Sequence, residues 1–237
     1  MNYVKIKFGR NVKFMSNIKL QDVLVFVNGT SRYNRNSFDT VSVKTTIVTD
    51  EPIIDEYYVP SGVTANPRLL EILQLEGLEV TPFKASTLFA GTEDIQTQAL
   101  NGNPSETLSD ASKLLLLSLL KKTQLTPVAG AINTYELSYD YKIFPLNHLG
   151  LADSYDFQIR VPFDGLGMVG GSRVEVIVIL PKFAEIDGDA TKGTDLNGSE
   201  IAELVYEMPN VNRKAVTFAY QNDPLFTVRY RHNQPLQ

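Results

Sequence analysis

The loop Glu185-Ile-Asp187-Gly-Asp189-Ala-Thr-Lys-Gly-Thr-Asp195-Leu-Asn197-Gly198 sets oxygen-bearing side chains at alternate positions among glycines. Calcium takes several such oxygens from a flexible loop, so Asp187, Asp189 and Asp195 form a candidate calcium site. Counted from Asp187, Lys192 stands where an EF-hand needs glycine and Gly198 where it needs the bidentate glutamate. The motif is therefore not an EF-hand, and the competing reading is a solvated hairpin loop.

Other constellations are weaker still. Gly165-Leu-Gly167-Met-Val-Gly170 has the glycine spacing of a dinucleotide-binding turn, which works only when it opens a helix facing the pyrophosphate. Here it runs into the β-branched segment Arg173-Val-Glu-Val-Ile-Val-Ile179, a strand pattern, so no nucleotide site is expected. The only histidines, His148 and His232, have no sequence neighbour at metal-binding or triad spacing, and no serine sits in a Gly-x-Ser-x-Gly elbow. Carboxylate pairs such as Asp50-Glu51 and Asp55-Glu56 are adjacent in sequence, which does not by itself aim them across a cleft. No catalytic or cofactor-binding residue is assigned.

The elements that would position these groups are mostly strands. Residues 173–182 form the longest β-branched apolar run, with Val174, Val176, Val178 and Leu180 on one face and Ile177 and Ile179 on the other. Both faces being apolar, a central strand covered on both sides is expected, stopped by Gly170-Gly171 and Pro181 and paired with residues 155–161. Strand patterns also occupy residues 3–8, 22–27, 40–48, 55–59, 134–144, 201–208, 214–219 and 225–232. Asn28-Gly29 reads as a tight turn with positive φ. Two helices are expected. One runs from Asn66-Pro67 to Gly77, and the other opens at Ser109-Asp110 and follows the leucines to Lys121-Lys122.

The fold class is thus mainly β, α+β overall. Residues 1–125 make an N-terminal α+β domain with basic first strands and two helices, and 131–237 an antiparallel β-sandwich, immunoglobulin-like or jelly-roll-like. The uncharged stretch 126–131 is the boundary between them. Burial between the sheets falls to Tyr139, Tyr141, Phe157, Ile159, Val176, Val178, Leu204, Phe218 and Phe226.

Composition narrows the function classes. With 237 residues, 43% hydrophobic and 21% charged, the chain resembles ordinary globular proteins, and the absence of cysteine excludes disulfides and thiolate metal sites. No secretory signal and no apolar run of membrane-spanning length is visible, so synthesis in the cytoplasm is the expectation. Charge is polarised along the chain. Residues 1–46 carry eight basic side chains against two acidic, whereas residues 50–110 carry eleven acidic against two basic. Aromatic residues among the N-terminal lysines could stack on nucleic acid, but the acidic balance argues against that partner. A basic-to-acidic chain instead suits contact with other protein subunits, including copies of itself in a homo-oligomer or particle. The leading expectation is a non-enzymatic structural or assembly protein, most concretely a virion component such as a bacteriophage capsid-associated or tail protein. The alternative is a soluble β-sandwich module that binds carbohydrate or peptide.

Overall fold

The computed structural model describes residues 16–33, 38–53, 56–60, 82–89, 92–102, 107–108, 110–111, 114, 117, 120–146, 150–151, 153–221 and 224–232. The protein is mainly β, with little helix. A seven-stranded sheet has the order β13 (Leu204–Met208), β14 (Arg213–Tyr220), β9 (Leu166–Ile179), β1 (Ser16–Asn28), β2 (Asp39–Thr49), β7 (Thr134–Ile143) and β6 (Thr126–Pro127). A second sheet joins β10 (Ala184–Ile186), β15 (Leu225–His232), β11 (Lys192–Thr194) and β12 (Glu200–Ile201), with β8 (Ser154–Arg160) also on β15. A small third sheet has β3 (Tyr57–Pro60) between β4 (Phe83–Lys84) and β5 (Leu120–Thr123).

The alternation of β1 dictates its place. Val23, Val25 and Val27 turn inward and are fully or almost fully buried, while Asp22, Leu24 and Phe26 turn outward. Both edges of β1 are used: β2 pairs antiparallel on one side and β9 parallel on the other. Within β9 the expected inward set, Val174, Val176, Val178 and Leu180, is completely buried. Strand β9 is therefore central, but its neighbours are β1 and β14, not residues 155–161, which lie in the second sheet against β15. The two strands contribute to one core cluster without sharing a ladder. Nor is β9 covered on both faces, since Ile177 on its outer side is 41% exposed.

Strand β9 also begins earlier than Gly170-Gly171 would suggest. Leu166 to Met168 pair with Ser16 to Ile18, and the ladder resumes at Arg173 opposite Leu20. Residues 169–172 thus bulge out against a single residue of β1, and the glycines accommodate the bulge, with Gly171 at φ +89°. Ser172 fastens it by donating to the Ile18 carbonyl at 2.6 Å and accepting the Val169 N–H at 3.0 Å.

The seven-stranded sheet takes strands from both sides of residues 126–131, the expected boundary. Strands β1 and β2 sit in the middle of a sheet completed by β7, β9, β13 and β14, and residues from both sides of the stretch share one core cluster. Its small residues serve a local need instead, the turn into β7, where Gly130 and Asn133 both take positive φ. Pairings within 134–232 are antiparallel as expected. The parallel one, β1 on β9, enters because an N-terminal strand fills that sheet.

The helical expectations fare unevenly. The first expected helix, 66–77, and the strand at 3–8 lie outside the described residues. Of the second, Asp110, Ala111, Leu114 and Leu117 are helical, but its expected end is not: Leu120–Thr123 is β5, paired with β3. Leu117 and Leu120 pack with Tyr58 on Phe83 in a satellite core. Short helices at Ala85–Phe89 and Ile95–Leu100 were not anticipated, though Gly102 at φ +72° ends the latter in the usual left-handed manner. Among the described residues no helix is long and apolar enough to cross a membrane.

Aromatic rings from strands of the two large sheets meet in the core. Phe218 of β14 stacks on Phe226 of β15 with ring centroids 4.5 Å apart. Of the residues assigned to this layer only Leu204 is misplaced: it is 60% exposed, because its pairing with Thr217 sets it on the outer face. Gly193 in β11 makes room for the stack, since a Cβ there would come within 2.7 Å of the Phe226 ring and 2.8 Å of Ile201 Cβ. Gly193→Ala is accordingly expected to cost about 1–3 kcal/mol of stability in denaturant unfolding, and Phe218→Ala about 3–5 kcal/mol. An unchanged midpoint for both would show that the two sheets do not close on these rings.

Candidate functional site

The acidic loop does not gather its carboxylates. Asp187 follows β10 and its Oδ1 accepts the Ala190 N–H at 3.2 Å, while exposed Asp189 lies within that turn. Asp195 belongs to the separate hairpin between β11 and β12. There its Oδ1 accepts the N–H groups of Asn197 and Ser199, both at 2.8 Å, and its Oδ2 accepts the Tyr220 hydroxyl at 3.4 Å. The two aspartates thus fold their own turns by satisfying backbone donors. Among the described residues no group of three or more His, Asp or Glu side chains is arranged to hold a metal.

A polar cluster that the sequence hides lies inside the core. Asp39, the first residue of β2, is fully buried. Its Oδ1 accepts the Ser31 N–H at 2.9 Å, and its Oδ2 accepts the Tyr230 hydroxyl at 2.6 Å and stands 2.8 Å from His232 Nε2. Tyr155 stacks on Tyr230 at 5.5 Å, and burial pushes its phenol up to about 12. The His-Asp pair resembles the base of a hydrolase only in composition. The two side chains are 8% and 0% exposed, so no substrate can approach them. What the cluster does is tie β15 of the second sheet to β2 of the first. Gly29 permits this: its φ is −71°, not positive as a tight turn would need, and a Cβ would lie 3.0 Å from His232 Cε1 and 3.1 Å from Pro181 Cβ.

The surface offers a different kind of site. Register across the seven-stranded sheet sets Leu204, Thr217, Ile177 and Leu24 on one outer rung and Tyr206, Ala215, Ile179 and Phe26 on the next. Leu24 and Ile177 are 42% and 41% exposed, and Leu204 and Tyr206 more so. These residues make a contiguous apolar strip that reaches the sheet edge at β13. Arg213 borders it, its guanidinium 4.6 Å above the Phe26 ring while donating to the carbonyls of Val27 and Leu180. On the opposite border Asp22 and Glu175 lie directly across from each other in the β1–β9 register. Burial first, and Glu175 second, raise the Asp22 pKa above the ordinary carboxylate range, although Arg173 bonds Glu175 at 2.9 Å. The sequence pattern of β9 suits burial on both faces, but its outer face is left open, with only β1 and β14 beside it in the sheet.

Two outcomes follow from these groups. Asp39→Ala leaves three buried donors without their acceptor and is expected to cost about 3–5 kcal/mol, with Asp39→Asn, which keeps one oxygen, costing less. A loss below about 1 kcal/mol in the alanine variant would mean that the cluster does not hold the sheets together. Because the Asp22 pKa is raised on folding, its charge opposes the folded state at neutral pH and ceases to do so once it is protonated. Asp22→Asn should therefore raise stability at pH 7, with the gain shrinking to nothing as the pH falls through that pKa. Denaturant titrations of both proteins at several pH values check the sign.

No protein-family model matches this chain, and no curated protein sequence matches it.

Proposed function

We propose that this chain is a non-enzymatic structural protein that assembles with copies of itself, its two large sheets forming a β-sandwich and the seven-stranded sheet its contact surface. In its most concrete form it is a virion component, such as a bacteriophage capsid-associated or tail protein. The observation that supports this reading is the apolar strip across β1, β9 and β13. An exposed apolar strip continuous with a sheet edge is unfavourable in water, and burying it against a subunit lowers the free energy. Polarised charge along the chain, basic before residue 46 and acidic between 50 and 110, gives a second, longer-ranged attraction between subunits.

Light scattering over a range of protein and salt concentrations tests it. Multimers that grow with protein concentration are expected. Those held by the apolar strip persist in salt, whereas those held by the charge gradient loosen as the screening length falls to about 8–10 Å near physiological salt. Ile177→Glu should abolish the salt-resistant multimers while leaving the unfolding midpoint nearly unchanged, because the side chain points away from the core. A monomer of 26.4 kDa under every condition would instead favour a binding module for carbohydrate or peptide.

A further inference from the structure

Strand β13 is the edge of the seven-stranded sheet, and among the described strands it pairs only with β14. Its sequence, Leu204-Val-Tyr-Glu-Met208, breaks the usual protections of an edge. Its register with β14 has no bulge, it holds no proline before Pro209, and its single charge, Glu207, is neutralised by Lys214 of β14 at 3.1 Å. Leu204, Val205 and Tyr206 are 60%, 44% and 54% exposed. An apolar, unbulged strand whose outer N–H and C=O groups pair with no described strand is a template for another strand.

Resting on the assembly reading above, we infer that β13 pairs antiparallel with β13 of a second copy about a two-fold axis at Tyr206, joining the two seven-stranded sheets into one. In that register Tyr206 faces Tyr206 of the second copy, and Leu204 faces Met208, so the outer apolar strip runs unbroken across the axis. On the inner side Glu207 faces Val205, so no like charges stand directly opposite each other. The sheet's far edge is a poorer partner. Where β7 extends beyond its short pairing with β6, its outward residues are Ser138, Asp140 and Lys142, which would set polar groups against Leu204, Tyr206 and Met208. The edge therefore matches itself better than it matches β7, and the contact is isologous and closed at two copies. Five paired residues per copy fall short of the ~1,200–2,000 Å² typical of tight complexes, so the dimer is reversible and concentration-dependent.

The chain contains no cysteine, which permits a direct test. A Tyr206→Cys chain, oxidised at micromolar concentration, is expected to form a covalent dimer at least about tenfold faster than Ile132→Cys, an 88% exposed control on the turn before β7, because pairing raises the effective thiol concentration. Tyr206→Lys and Tyr206→Glu should each weaken self-association at least about tenfold by setting like charges face to face, and an equimolar mixture of the two should recover it. Multimers that form without faster crosslinking at 206, and that neither charge variant weakens, would overturn this pairing while leaving the assembly reading intact. A monomer at all concentrations, with crosslinking no faster than the control, would overturn both.

Discussion

The parallel ladder between β1 and β9 is the contact on which the rest of the architecture depends. It brings residues 16–28 beside residues 166–179 and makes one sheet out of segments distant in sequence. Without it, β9, β14 and β13 would be cut off from β1, β2 and β7, and the outer rungs that run from Leu24 to Leu204 would not exist. The bulge at residues 169–172 belongs to the same contact. It takes up the mismatch between the strands below Ile18 and above Leu20, keeping Val23, Val25, Val174, Val176 and Val178 all directed inward.

Across the core from that ladder, the second sheet is held by two quite different interactions. Phe218 on Phe226 is a hydrophobic contact, tolerant of small displacements. The carboxylate of Asp39 with Tyr230, His232 and the Ser31 N–H is directional, and a buried acceptor of that kind is costly unless its donors are in place. Together they allow one alignment of the two sheets. A third join is made by the small sheet: its Tyr57 and Val59 enter the main core, and the Lys84 stem lies on Gly165, whose φ of +78° and missing Cβ let it approach. The Lys84 N–H donates to Asp164 Oδ2 at 3.0 Å beside that contact.

Much of this was legible locally and little of it globally. Alternation placed β1, β2, β7, β9, β14 and β15 close to where they lie, and it named eight of the nine residues assigned to the layer between the sheets, because period-two burial is a property of the strand itself. Neighbour relations were not legible. Residues 155–161 and 173–182 both carry strand patterns with one apolar face, and nothing in either states whether they share hydrogen bonds. The same gap explains Leu120: a leucine-rich helix has no sequence stop before the β5 backbone is recruited by β3. It also explains His232, whose partner Asp39 lies 193 positions away. The acidic loop shows the converse, since Asp187 and Asp195 look like ligands by spacing while their oxygens satisfy the turns in which they sit.

Joining such distant segments through β1 and β9 also orders events during synthesis. The hairpin of β1 and β2 can close as soon as residue 49 is made, but Ser16 pairs with Leu166, about 150 residues later. At ~5–20 residues per second, the nascent chain carries the free edge of β1, with Val23, Val25 and Val27 uncovered, for roughly 8–30 s before its partner emerges. On a messenger translated by several ribosomes at once, neighbouring nascent chains offer identical unpaired edges during that interval. Yield of folded protein then depends on ribosome spacing and elongation rate, quantities that leave no trace in the finished fold.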